Sequence, residues 1–330
     1  MKKIFKILIV GCGELGSRHL QAVCNLPQVK EVMVVDLNSS SLELGKKRLQ
    51  DITDVSPETS FRWLTSLNEV QSDVDLCIVA TLARGRCHLI EEIAQKVNVK
   101  KFLVEKIVSQ SVLEYENLLR FVESKNLSVW VNCNTRGFDI HRHIKKKIQP
   151  GESIIFKSIG GNHGLANNGI HTSDLFLFYD GSEMIESVAQ AIDPVLHPSK
   201  RGKDYFDLSG TIQGRTKKGN HFSLSFARDH VASEHISIVT KSYRCVVDHL
   251  MRWACENEGE NAKAWKPIPF EGDIFVSQTT KRFATDILTK GSCKLPTLRE
   301  CYPAHQFILE SLLPHFNQFL KKTDDVCPVT

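Results

Sequence analysis

The chain has 330 residues, 42% of them hydrophobic and 24% charged, with a formal net charge of +4. That length suits two domains rather than one small core, and the composition is that of an ordinary globular protein. The positive excess is spread along the chain and is densest at Lys145-Lys146-Lys147, which reads as a solvated helix end and not as a nucleic-acid surface. From Ile4 to Val10 nearly every residue is a β-former, as in a strand buried on both faces. The strand stops at Gly11-Cys12-Gly13-Glu14-Leu15-Gly16, a G-x-G-x-x-G turn, and a helix follows to about Leu26. A second apolar run, Glu31 to Val35, ends in Asp36. Gly11 allows the tight turn, Gly13 lets a pyrophosphate approach the backbone, and Gly16 lets helix and strand pack closely. The loop and helix start, Cys12, Glu14 and Leu15 included, offer N–H groups and a positive dipole end to phosphates. Asp36 would accept hydrogen bonds from ribose hydroxyls, and its charge, with no arginine in Leu37-Asn38 to offset it, favours NAD over NADP. Glycines serving packing alone, or a methyltransferase-type loop, are the competing readings.

Beyond Asp36 the pattern alternates. A helix over Ser39–Leu49, a short strand over Ser60–Trp63, a buried strand over Asp75–Ala80 ending at Thr81 and a helix over Gly85–Lys96 are predicted. Strand Lys101–Val104 ends in Glu105-Lys106, and helix Val112–Ser124 and strand Leu127–Asn132 complete the series. Strands separated by helices imply right-handed crossovers and a parallel sheet, with ligands beyond the carboxyl ends of the strands. That rule gathers Gly11, Asp36, Thr81, Glu105, Lys106 and Asn134 along one edge. The second half differs: a helix over Phe138–Ile148, strand Ser153–Ile159, a polar loop and a helix over Asn168–Tyr179. Strands at Ile185–Ile192, Phe206–Gly214, His221–Ala227, His235–Val239 and Tyr243–Val247 then follow with few helices between them, which points to a largely antiparallel sheet with one open face. Helices Val276–Thr289 and Ala304–Leu320 close the pattern, and the polar tail from Lys321 reads as disordered. The expected fold is α/β: a Rossmann (doubly wound parallel sheet) domain over 1–134, then an α+β domain with a largely antiparallel open sheet over 135–330, whose final helix, about 304–320, could pack back on the first.

Ten cysteines lie scattered without a C-x-x-C pair, several inside apolar runs, which fits reduced buried thiols better than disulfides or a metal site. The apolar run after Met1-Lys2-Lys3 is short and is consumed by the glycine turn, so it does not read as a signal peptide. No segment is long enough to span a membrane. A cytoplasmic protein is expected.

At Glu105-Lys106 the chain comes to resemble a family. A Rossmann domain, an E-K pair ending the fifth strand, and Gly169-Ile170-His171-Thr172-Ser173-Asp174 (G-x-H-x-x-D) opening a later helix look like the Gfo/Idh/MocA oxidoreductases, NAD(P)-dependent enzymes acting mostly on sugars and their derivatives. Ala80-Thr81 with His88 in the next helix, and the Ala304-His305 helix, are similar as well. The resemblance implies that Lys106 contacts the reacting hydroxyl and the nicotinamide ribose and that His171 is the general acid/base, with Asp174 beside it. Thr81, His88 and Glu105 would line the cofactor edge. Three positions depart from the pattern. Ile107 follows Lys106 where proline is usual, Leu82 stands where proline or asparagine is common, and Asn167 replaces the aspartate that many members pair with the histidine. An asparagine can hydrogen-bond His171 but cannot balance an imidazolium, so Asp174 would supply the carboxylate if one is used. The stretch Gly164–His171 also resembles a branch found with surface-polysaccharide genes.

These residues lead to an NAD-dependent dehydrogenase or reductase of a secondary alcohol on a sugar or nucleotide sugar, with Arg136, Asn162, His163 and Asn167 as substrate contacts beside His171. Arg84 and Arg86 read as solvated helix-start residues or phosphate contacts, with the solvated role favoured. Two alternatives remain: an enzyme that uses bound NAD transiently for epimerisation, elimination or glycoside cleavage, and a non-catalytic NAD(P) sensor on the same fold. The open sheet predicts a homodimer or homotetramer.

Overall fold

Phe5–Val10 forms β1, with every side chain but Lys6 buried, because five of its six residues are apolar and both faces are covered. In this computed structural model residues 4–330 are described, except 54, 56, 162, 163, 229, 231 and 260–262. The chain continues through α1 (Glu14–Val23), β2 (Val29–Val35), α2 (Ser39–Gln50), β3 (Ser60–Leu64), β4 (Leu76–Val79), α3 (Arg86–Lys96), β5 (Lys101–Val104), α4 (Val112–Ser124) and β6 (Ser128–Val131). The six strands are parallel in the order β3-β2-β1-β4-β5-β6. This is the doubly wound order, and its switch point lies between β1 and β4, where a ligand crevice opens.

The next elements are α5 (Asp139–Lys147), β7 (Ile155–Gly161), α6 (Gly169–Asp180), β8 (Glu186–Ile192), β9 (His197–Pro198), β10 (Phe206–Asp207), β11 (Gly210–Arg215), β12 (His221–Ala227), β13 (His235–Val239), β14 (Tyr243–Asp248), β15 (Trp253–Glu258) and β16 (Lys266–Pro267). Eight of these strands make one sheet in the order β16-β15-β14-β13-β7-β12-β11-β8, antiparallel except where β7 meets β12. Alternation decides its two faces. Phe222, Leu224 and Phe226 of β12 point inward, and Phe156 stacks on Phe222, both rings tilted against Phe176 of α6, while Phe307 lies edge-on to Phe222. The outer face keeps Ile155, Ile159 and Val188 exposed.

The last helices are α7 (Val276–Lys290) and α8 (Leu298–Leu320). The chain forms two compact units: the first takes the chain to Ser109, Leu113–Asn134 and Asp273–Arg299, and the second takes Gln110–Val112, Thr135–Gly272 and Glu300–Thr330. The helix that returns to the first unit is therefore α7, whose Phe283, Ala284, Ile287 and Leu288 join the core around Leu20 and Val23 of α1. From Glu300 onward α8 belongs to the second unit.

Two expectations are corrected. Phe206–Gly214 is not one strand: it breaks at Leu208-Ser209, where the Ser209 hydroxyl is tied to Asp193 and His197. The tail from Lys321 is not loose at its end, for Cys327, Val329 and Thr330 are buried in the second unit. Cys327 N–H donates to Gln110 O (2.9 Å), the Gln110 amide donates to Val329 O (2.8 Å), and Phe206 N–H donates to Pro328 O (2.8 Å). Two apolar side chains with their backbone groups satisfied suffice to hold a segment whose composition looks polar. Among the described residues, no helix is long and apolar enough to cross a membrane.

Candidate functional site

In the first unit the glycine turn excludes side chains. Gly11 has φ +88°, and a Cβ there would lie 2.9 Å from Ala80 C and Thr81 N; one on Gly16 would lie 1.8 Å from Gly11 O. At Gly13 the space is open, with nothing within 4 Å of where a Cβ would sit. That is the room a pyrophosphate needs, at the start of α1 where N–H groups are unpaired by the helix. Asp36 is fixed at the end of β2: its Oδ2 accepts from Cys12 N–H (2.7 Å) and its Oδ1 from Asn38 N–H (2.8 Å). Lone pairs remain on both oxygens for ribose hydroxyls. Gly11, Asp36, Leu37, Ser66 and Thr81 line a cavity of about 370 Å³, with Leu37 90% exposed at its margin. The Thr81 hydroxyl oxygen is buried here without a hydrogen-bond partner among the described residues. An orphaned hydroxyl, an open glycine cradle and an anchored acid together fit a dinucleotide.

Several predicted cofactor contacts have other work. The Cys12 N–H is committed to Asp36, and burial pushes its thiol up to about 12, so it offers no thiolate. The Glu14 side chain pairs with Arg48, and Leu15 is half-buried behind it. His88 points into solvent on α3; Arg86, two residues earlier, takes the inward position. Glu105 turns inward as well, and its Oε1 meets His19 Nε2 at 2.8 Å and accepts from the Asn132 amide at 2.6 Å. Burial alone raises a carboxyl; here the hydrogen bond and charge of His19, the Asn132 amide and the Lys106 charge overcome it and hold Glu105 down at about 2. His19 is completed by Thr280 of α7 at 2.9 Å. Lys106 follows, only 7% exposed, and the Lys106–Ile107 peptide is cis.

In the second unit Asp174 is fully buried on α6 and Arg136 Nη1 approaches it at 3.1 Å, so the expected carboxylate and the expected anion-binding arginine meet each other. Burial raises the Asp174 carboxyl to about 6, against the pull of Arg136 and the Cys301 thiol. Arg136 also lies over the Phe178 ring, 5.2 Å from its centroid. Asn167 is not aimed freely either. Its amide donates to Asp207 Oδ2 (2.6 Å), and its Oδ1 accepts from Thr330 N–H (3.0 Å). Asp207 of β10, which the sequence did not single out, also accepts from Ala166 N–H (2.8 Å), and burial raises its carboxyl. His171 stands half-buried in the first turn of α6, next to Thr172, whose hydroxyl donates to Glu234 (2.8 Å). Asn162 and His163, expected as substrate contacts, lie outside the described residues.

Residues 5–133 match the model of the oxidoreductase family with the NAD-binding Rossmann fold. Over those residues the chain is similar to the Gfo/Idh/MocA oxidoreductases. No curated protein sequence matches it. Solved structures extend the likeness in fold to almost the whole chain. An oxidoreductase from Agrobacterium radiobacter, in complex with NAD+, L-tartaric acid and magnesium, is 13% identical with a TM-score of 0.72, covering 92% of this chain and 94% of its own. The UDP-N-acetylglucosamine 3-dehydrogenase of Acidithiobacillus ferrooxidans is 14% identical with a TM-score of 0.72, covering 93% and 96%. A 3-ketoreductase from Actinomadura kijaniata, with NADP and TDP-benzene, is 14% identical with a TM-score of 0.70, again covering 93% and 96%. The match spans the glycine turn and β1 to β6 of the first unit, the segment that the family model describes as an NAD-binding Rossmann fold.

Proposed function

We propose that the protein is an NAD-dependent dehydrogenase or reductase acting on a secondary alcohol or ketone of a sugar derivative, with a nucleotide sugar as the favoured class. The observation that carries this is Lys106: a nine-tenths buried lysine held at the carboxyl end of β5, on the edge where Gly11 and Asp36 form the dinucleotide cradle. Bound NAD(H) supplies or takes up the hydride. Lys106 holds the developing alkoxide by charge, and His171 exchanges the hydroxyl proton, since imidazole is the side chain that titrates near neutral pH. Asp174 sets the position of Arg136 through their ion pair and takes no proton from substrate. Asp36 selects NAD, because its carboxylate repels a 2′-phosphate. The nucleotide-sugar class rests on neighbours named for UDP-N-acetylglucosamine and crystallised with TDP-benzene.

The test is a thermal-shift titration with NAD, NADH, NADP and NADPH, each alone and then with a panel of nucleotide sugars. Binding raises apparent stability as RT ln(1 + [L]/Kd). A shift with NAD(H) and a further shift with one sugar class is the expected result; no shift with any dinucleotide refutes it. Accumulation of NADH separates net oxidation from transient use of the cofactor in epimerisation, elimination or glycoside cleavage.

A second reading, a non-catalytic dinucleotide sensor, is favoured by one observation: Asp174 and Asn167, the groups expected beside His171, are engaged by Arg136, Asp207 and Thr330. Under that reading Lys106→Ala leaves the biological effect intact. We also propose a homodimer or homotetramer formed through the outer sheet face with Ile155, Ile159 and Val188. Light scattering at micromolar concentration tests it, and a monodisperse monomer counts against it. Ten free cysteines, all but Cys255 and Cys293 buried, suit a reducing compartment, and the cytoplasm is the proposed location.

A further inference from the structure

Arg86 heads the fully buried large side chains among the described residues, 1% exposed, in the first turn of α3. A guanidinium so placed needs acceptors, and the first unit supplies backbone carbonyls. Nη1 donates to Glu105 O (2.6 Å) and to Ile107 O, and Nη2 donates to Thr81 O. The first two carbonyls flank Lys106 on either side. The third belongs to the residue just past β4, at the cavity beside Gly11. One planar cation therefore ties together the loops that leave β4 and β5, in a stretch where the strand ladders have ended.

We propose that Arg86 is the positioning residue for Lys106, a role resting on the dehydrogenase reading above. Ile107 leaves the φ of the loop unrestricted where a proline would fix it. The fork of Arg86 fixes the same backbone by clamping the carbonyls before and after Lys106, and the His19–Glu105–Asn132 group anchors the neighbouring side chain from below. Lysine cannot replace this arginine, because a single ammonium has neither the fork nor the span to meet carbonyls in three directions. Arg86 touches no substrate and acts through Lys106 alone.

The experiment compares wild type with Arg86→Lys, with folding checked by circular dichroism and NADH binding by fluorescence. The first readout needs no substrate: the acetylation rate of each lysine by an N-hydroxysuccinimide ester, followed by mass spectrometry. Lys106 should be protected in wild type and react about tenfold faster in Arg86→Lys, with the other lysines unchanged, since local release exposes only that loop. An unchanged Lys106 rate overturns the proposal. The second readout is kinetic. Arg86→Lys should lower kcat about 100-fold with KM within about threefold, the effect of a displacement near 1 Å. In a Lys106→Met background the same substitution should lower kcat no further; an additive loss overturns the proposal, because it would show a role that does not pass through Lys106. Wild type that transfers no hydride with any sugar sinks the dehydrogenase reading instead, and the acetylation rates still decide the role of Arg86. Should Arg86→Lys fail to fold, Arg86→Ala is read with and without guanidinium chloride: restored protection of Lys106 supports the proposal and absence of restoration counts against it.

Discussion

Each unit buries a carboxylate, and the two are treated in opposite ways. Glu105 in the first unit receives His19 and the Asn132 amide and is held at about 2, below its ordinary value of 4.5. Asp174 in the second unit is raised to about 6 from 3.8, although an arginine sits 3.1 Å away. Burial penalises both; what separates them is the number of groups that converge on each carboxylate. The first unit has a closed polar knot under the lysine it presents, whereas the second keeps an ion pair that solvation would favour more than the protein does.

The sharpest way to break this contrast is Glu105→Ala, which strands the His19 ring and the Asn132 amide. Removing one member of a buried pair costs about 3–5 kcal/mol, and urea unfolding of the variant should show a loss of that order. The second test follows pH. Glu105 ionises more easily when folded, so its contribution is present above about 4.5 and fades as pH falls toward 2. Asp174 keeps its proton to about 6 in the fold but only to 3.8 when unfolded, so stability declines as pH rises from 3.8 through 6. Asp207 is raised by burial too and slopes the same way, so the measurement is the difference between wild type and Asp174→Asn. That difference curve should change by about 2 kcal/mol across pH 4–6, and a flat one would place Asp174 among ordinary surface acids. A smaller effect is expected at Asn167→Ala, which removes bonds to Asp207 and Thr330. We expect about 1–2 kcal/mol in urea unfolding, and no loss would mean that these bonds do not secure the loop before α6. The smallest is His88→Ala. An exposed position changes stability by less than about 0.5 kcal/mol, and NADH affinity should not move; weakened NADH binding would return His88 to the cofactor edge.

The dinucleotide half was legible because its logic is local. A strand, three glycines, a helix, a strand and an acid follow one another within Ile4–Asp36, and each is constrained by sterics that a sequence records. Arg86 was not legible. Its neighbours Arg84 and His88 are exposed, as expected of a helix start, and two of the three carbonyls that draw it inward, those of Glu105 and Ile107, lie in a loop brought close by the parallel pairing of β4 and β5. Asp207 was missed for the same reason: its partners Ala166 and Asn167 are distant in sequence, and its strand β10 has two residues. β15 escaped because Trp253–Glu258 ends in three polar or charged residues, Glu256, Asn257 and Glu258, and lacks a clean apolar alternation. The buried end of the tail turned on Cys327 and Val329, two apolar side chains too few to register as a pattern.

The packing of α1 against α7 sets a timetable for synthesis. Leu20 and Val23 leave the ribosome among the first residues made, but Phe283 and Ile287, which cover them, arrive only after Gly272 has closed the intervening part of the second unit. Until then the nascent Rossmann sheet carries an uncovered apolar flank, a state that invites chaperone capture or self-association. A gene fragment stopped at Asn134 would encode every glycine of the cradle and still lack the helix that seals it, so the cofactor loop cannot be lifted out as a free-standing cassette.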